Sequence, residues 1–204
     1  MMRPPLFLVT LTLLIAGCST QTPPMNEYIL SSASLAPSFI ESAAPYTLKM
    51  APPKARPSLI SKLFYYREGE NKIGSYLYSQ WVDAPAAMLD RLLYTSLQQN
   101  RLFSTTLSSG SNASGDLVLE SMLHDFSHRI DRSGHSMGEI DITYTLIDTK
   151  TKKVIASKRF TASSPTPTVD AQGGVIALDH AATHIIEQCS AWLHLISKEP
   201  SWKK

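Results

Sequence analysis

Apolar residues in this chain follow two rhythms, every second position in some stretches and every third or fourth in others, and the switches between them mark out the elements. Tyr46, Leu48 and Met50 alternate with polar neighbours as a half-buried strand requires, and Pro52 and Pro53 stop it. Leu63 to Tyr66 and Ile73 to Trp81 are two β-rich runs joined by Glu68-Gly69-Glu70-Asn71, a hairpin signal. Asp83 then stands as a capping acid before Pro85, and Met88, Leu89, Leu92, Leu93, Ser96 and Leu97 recur at helical spacing as far as Asn100. Strands follow at Phe103–Leu107, at Leu117 to Phe126, where Phe126 falls on the opposite parity and predicts a bulge, and at Ile140 to Leu146. Asp148 to Lys153 turns into Val154 to Ala162, a further strand of the same meander. The last element, Ala171 to Ser197, is a helix with Leu178, Ala182, Ile185, Cys189, Trp192 and Ile196 along one stripe. The expected fold class is α/β (α+β): one domain, with a largely antiparallel mixed sheet and two helices packed on one face.

The N-terminal region has neither rhythm. Arg3 precedes the uncharged run Leu6 to Ala16, which is too short for a bilayer core that needs about 20 helical residues, so residues 1–17 read as a signal peptide. Ile15-Ala16-Gly17-Cys18 matches the lipobox of bacterial lipoproteins, in which the cysteine thiol receives the diacylglycerol. Cys18 is therefore the expected lipid attachment point, and acyl chains there would hold the protein at a membrane without a spanning helix. Ser19 after the cysteine, in place of the Asp that retains lipoproteins in the inner membrane, implies sorting to the outer membrane. Residues 18–45, rich in Ser, Thr, Ala and Pro, read as a tether, and about 25 residues of coil reach about 25 to 30 Å. The domain is expected over residues 46–197, with a polar tail at 198–204.

Composition narrows the function. Among 204 residues, 19 Lys and Arg face 17 Asp and Glu, a net charge of +2 without a basic stripe, which argues against nucleic-acid binding. Two cysteines, Cys18 and Cys189, are too few for a disulfide framework or a zinc cluster, and the helical stripe makes Cys189 a core residue rather than a redox thiol. Gly134-His135-Ser136-Met137-Gly138 matches the G-x-S-x-G elbow of serine hydrolases, which needs a strand before the serine and a helix after it. Here a strand pattern follows, so a loop between strands is the better reading and a lipid-anchored serine hydrolase using Ser136 is a remote alternative. His180 and His184 lie one helical turn apart without the further ligands a zinc site needs, and read as solvated; His124 and His128 receive the same reading. No Walker loop, dinucleotide fingerprint or paired-carboxylate motif is present, and neither a catalytic residue, a metal nor a cofactor is expected. Tyr76 and Tyr78, placed by alternation opposite Leu77 and Trp81, are candidate interface residues unless they pack under a helix.

A wider pattern joins these features. The lipobox Cys18, the Pro-rich tether, Tyr78-Ser79-Gln80-Trp81-Val82-Asp83-Ala84-Pro85, the Met88-Leu89 helix, Phe103, Leu117 to Phe126, the strand Ile140 to Asp148, Phe160 and the closing helix with Trp192 occur in the order that marks one family. Over residues 46 to 197 the chain resembles the ABC-type transport auxiliary lipoprotein family, and within it the PqiC-like (YmbA-like) intermembrane transport lipoproteins. The resemblance implies a non-catalytic, lipid-anchored outer-membrane lipoprotein facing the periplasm. Its expected partner is an MCE-family periplasmic or inner-membrane protein of a Pqi-like lipid transport system, and copies of it would form a homo-oligomeric ring against that symmetric assembly. A lipoprotein that stabilises another envelope machine is the alternative.

Overall fold

A computed structural model describes residues 23–31 and 43–198. Within them the chain forms a mixed sheet of nine strands covered by two helices. The strands are β1 (Asn26–Tyr28), β2 (Ala44–Met50), β3 (Lys54–Ala55), β4 (Leu63–Glu68), β5 (Lys72–Trp81), β6 (Phe103–Leu107), β7 (Leu117–Ile130), β8 (Ser136–Asp148) and β9 (Val154–Pro165). Helix α1 spans Pro85–Gln99 and α2 spans Ala171–Lys198, about 42 Å at 1.5 Å per residue. The α+β class, the single domain and the two helices match the sequence expectation.

Strand β7 is the spine. One edge pairs antiparallel with β8 along almost its whole length. The other is divided among three short parallel partners: β2 at Leu117–Leu119, β3 at Met122–Leu123 and β4 at His128–Ile130. The long ladders, β7–β8, β8–β9 and β4–β5, are antiparallel, and β1–β5 and β2–β6 are parallel.

The bulge expected near Phe126 lies between Leu123 and Asp125. It shifts the parity, so Leu117, Leu119 and Leu123 before it and Phe126 and His128 after it all turn to the covered face and are buried. His128 is thus fully buried, a correction to its reading as a solvated residue; the shift that turns Phe126 inward turns His128 inward two residues later.

On β8 the alternation is complete: Ile140, Ile142, Tyr144 and Leu146 are buried while Glu139, Asp141, Thr143 and Thr145 remain half-buried. Helix α1 buries Met88, Leu89, Leu92, Leu93, Ser96 and Leu97, and α2 buries Leu178, Ala182, Ile185, Cys189 and Ile196, as the spacing predicts. Asp83, expected to cap this helix, stands one residue too early: Ala84 is the N-cap, and Asp83 Oδ1 accepts only the Ala84 N–H at 2.8 Å, leaving the first turn without a side-chain cap.

The ordered region starts earlier than the alternation at Tyr46 indicates. Within the stretch read as tether, β1 pairs with β5, Tyr28 stacks edge-on against Phe64 and Trp81, and Leu30 is buried. Val82 donates its N–H to the Tyr28 carbonyl at 2.8 Å, and Ser31 N–H reaches Asp179 Oδ1 on α2 at 2.6 Å. The signal peptide, Cys18 and the tail beyond Lys198 lie outside the described residues.

Helix α2 sits directly on the sheet backbone. A Cβ at Gly138 on β8 would lie 2.6 Å from the Leu178 nitrogen and 2.7 Å from the Ala177 carbonyl carbon, closer than real Cβ atoms come to backbone. Gly138→Ala must push helix and strand apart, and a loss of about 1 to 3 kcal/mol in urea unfolding is expected, with overpacking as its cause. A variant as stable as the wild type would show that α2 docks less closely.

Candidate functional site

The two halves of β5 face differently. Leu63 pairs with Gln80 and Tyr65 with Ser75, so five steps along β5 oppose two along β4 and the extra three reverse the parity. Tyr76 and Trp81, expected on opposite faces, therefore both turn inward, and Trp81 is fully buried. Leu77, expected on the Trp81 face, is 73% exposed, with Tyr78 at 39% beside it. Of the two candidate interface tyrosines, Tyr78 stands on the surface and Tyr76 packs against the core.

Tyr76 belongs to a cluster of rings between β4, β5, β7 and the start of α2. Its ring centroid lies 5.0 Å from Phe64 and 5.1 Å from Tyr66, and it stacks on His128 at 6.1 Å with a 19° interplanar angle. Its hydroxyl is 2.7 Å from His128 Nδ1. Gly74 makes room for Tyr66, since a Cβ there would lie 2.6 Å from the ring, and Gly174 of α2 does the same for His128, with only 2.9 Å to Nδ1.

Burial, before the nearby Asp170 carboxylate, pushes the Tyr76 hydroxyl up to about 12, and burial depresses the His128 imidazole, so a neutral pair is held. His128 Nε2 and Trp81 Nε1 have no hydrogen-bond partner in this cluster. Proton-transfer chemistry needs a reactant within reach, and a fully buried imidazole gives none access.

The G-x-S-x-G segment is a hairpin end. Asp131 Oδ1 accepts from Ser133 N–H at 2.8 Å, Ser133 Oγ at 2.6 Å and His135 N–H at 2.9 Å, and Gly134 takes φ +84° in the turn. Those bonds, the Ser133 hydroxyl first, hold the Asp131 carboxyl below its ordinary range. Ser136 opens β8, is buried, and bonds Thr166 Oγ1, while the His135 ring bonds Ser133 instead. No helix follows the serine, so the strained elbow of a hydrolase is not formed, and Gly138 is explained by the close approach of α2.

The other chemistry-bearing side chains are dispersed. His180 and His184 are exposed on α2, and His184 Nε2 is 2.7 Å from Gln188 Nε2. Among the described residues no group of three His, Cys, Asp or Glu side chains is placed to hold a metal ion. Cys189 is fully buried, and burial drives its thiol up. Asp90 on α1, bonded by Ser109 Oγ at 3.3 Å, is pushed up to about 6 by burial.

The sheet face away from the helices carries paired charges. Arg67 meets Asp125 at 2.8 Å, Arg129 meets Glu70 at 2.9 Å and Glu139 at 3.5 Å, and Arg159 grips Asp141 with two nitrogens. His124 Nε2 bonds Thr143 Oγ1 at 2.9 Å in the same layer. Beside it, Arg56, Tyr65, Arg67, His124 and Asp125 help line an open groove of about 250 Å³.

These features define an α+β sheet domain whose interior is a packed core and whose chemistry lies on its faces. The chain belongs to the ABC-type transport auxiliary lipoprotein family: the model for the ABC-type transport auxiliary lipoprotein component matches residues 28–190, beginning within β1. Among curated proteins, none matches the sequence.

Solved structures share the fold. Protein XCC0632 from Xanthomonas campestris, of family DUF330, superposes with a TM-score of 0.77 at 16% identity, covering 86% of this chain and 98% of its own. An uncharacterised protein gives 0.65 at 11% identity, with coverage of 84% and 99%. The hypothetical protein CT253 from Chlamydia trachomatis gives 0.52 at 9%, with coverage of 76% and 99%.

Two outcomes test this account of the buried groups. Tyr76→Phe leaves both His128 ring nitrogens without a partner, and urea unfolding should show a loss of about 1 to 3 kcal/mol; an unchanged midpoint would mean the hydroxyl bond contributes nothing. Asp90 has a folded pKa above its unfolded one, so the folded state is penalised once the carboxyl ionises above about pH 6 and the penalty fades as pH falls toward 4. Asp90→Asn should therefore raise Tm near neutral pH, by a margin that vanishes in acid.

Proposed function

We propose that this protein is an outer-membrane lipoprotein, acylated at Cys18 with its domain in the periplasm, that serves as a non-catalytic accessory of an MCE/ABC-type intermembrane lipid transport system. The observation that carries the proposal is a family match over residues 28–190 that begins ten residues after a lipobox cysteine. No described helix is long and apolar enough to cross a membrane, and the lipobox cysteine, Cys18, supplies a site for acyl attachment. A packed domain with its charges paired on one sheet face suits an adaptor that holds a position between two larger partners.

The partner proposed is an MCE-family protein of a Pqi-like system, met by several copies of this domain in a ring. The symmetry of such tubular assemblies is the reason for a ring, since a symmetric partner presents the same surface repeatedly. Of the two candidate interface tyrosines, Tyr78 is exposed, whereas Tyr76 is packed into the core.

Cys18→Ser should leave the domain folded and move it from the membrane fraction to the soluble one. In cells, crosslinking of the wild-type chain should capture an MCE protein, and loss of the lipoprotein should sensitise the envelope to detergent. Capture of a different envelope assembly would favour the alternative adaptor role.

A further inference from the structure

Strand β1 shortens the leash between the lipid and the fold. With the anchor at Cys18, as proposed above, only seven residues lie between it and Asn26, a span of at most about 29 Å fully extended and about 16 Å r.m.s. as coil. The domain is longer than that, since α2 alone extends about 42 Å. Whatever lies at the β1 end of the sheet is consequently kept next to the membrane surface.

That end is where exposed apolar side chains gather. The parallel register pairs Asn26 with Ser79 and Tyr28 with Trp81, so Met25 falls beside Tyr78 and Ile29 just past the Tyr28–Trp81 pair. Tyr28 points inward to Phe64 and Trp81, which puts Met25 and Ile29, at odd positions on either side of it, on the outer face with Glu27. Leu63, paired with Gln80 across the hairpin, extends the outer face, and Leu77 is pushed out by the β5 irregularity. Glu27, the carboxylate in this region, accepts a hydrogen bond from Gln80 Nε2 at 2.9 Å.

We propose that this rim, Met25, Ile29, Leu63, Leu77 and Tyr78, docks on the phospholipid surface of the membrane that carries the anchor. The occupant is argued from the short leash: an acylated Cys18 places the lipid interface within reach of Met25 and turns docking into an intramolecular event at high effective concentration. The composition suits that boundary, with aliphatic side chains for the acyl region and a tyrosine whose ring and hydroxyl match the headgroup level. The acyl chains hold the protein and the rim sets its orientation, sheet edge down with β9 directed away.

The test uses the full acylated chain in vesicles of phosphatidylethanolamine and phosphatidylglycerol. Cys189 is fully buried and Cys18 is consumed by the lipid, so Leu77→Cys supplies one reactive thiol for an environment-sensitive fluorophore, and Val154→Cys on the exposed far strand supplies the control. A quencher carried on phospholipid acyl chains should quench the label at position 77 severalfold more than the label at position 154. Adding Tyr78→Glu should abolish that difference while the protein stays on the vesicles.

Equal quenching at both positions, or none at either, overturns the proposal. A label at position 77 that is shielded from aqueous iodide yet indifferent to the lipid quencher also overturns it, since another protein or a second copy then covers the rim. Mass analysis of the N-terminal peptide separates the two levels: an unacylated Cys18 refutes the anchor reading and the rim proposal with it, whereas an acylated chain without quenching refutes the rim alone.

Discussion

The sheet depends on β7 having two unlike edges. One edge is a continuous antiparallel ladder with β8, and the other is shared in sequence by β2, β3 and β4, each too short to define a sheet alone. A buried strand must pair its backbone N–H and C=O groups, so the chain between Ala44 and Glu68 is led along that edge in three steps. The bulge after Leu123 lets one long strand keep a single apolar face: without it Phe126 and His128 would turn away from α2. The glycine contacts at 138 and 174 complete the constraint by letting α2 lie close on the face that the bulge preserves.

Much of this was legible because burial on one face leaves a periodic trace. Helix α1, helix α2, β8 and the β4–β5 hairpin follow their patterns to within a few residues, and Phe126 on the wrong parity disclosed the bulge. His128 could have been placed by the same step, since a parity shift applies to every residue that follows it. Strand β1 left no trace, because in three residues only Tyr28 faces inward and its pairing partner lies more than fifty positions away. β3 is two residues long and carries no period at all. The reversal within β5 was hidden because both parities there carry apolar side chains, Tyr76 and Tyr78 on one and Leu77 and Trp81 on the other.

The two faces of the sheet divide the physical work. Helices keep one face dry and supply the stability, while on the other face exposed pairs such as Arg129 with Glu70 each contribute at most about 1 kcal/mol and chiefly neutralise one another. Pairing of this kind leaves that face without a strong field of either sign, consistent with a near-neutral chain and with contacts made by shape and apolar area. Tyr76, His128 and Asp90 are displaced chiefly by burial, whereas on the open face the Arg159 guanidinium holds the Asp141 carboxyl below its ordinary range.

The docking of β1 also has a mechanical side. Any tension between an acylated Cys18 and a partner gripping the domain enters the fold through three register pairs with β5, the Tyr28 rings and the Ser31–Asp179 bond. If that clasp opened, the next paired residue among the described ones is Ala44, 26 positions beyond Cys18 where Asn26 is eight, a contour length of at most about 90 Å. Opening the clasp would withdraw Tyr28 from Phe64 and Trp81 and expose Leu30, so it is tied to the core as well as to the sheet edge. For a lipoprotein attached as proposed, β1 would act as a latch, and the load it withstands would set how far the fold could stand off from its anchor.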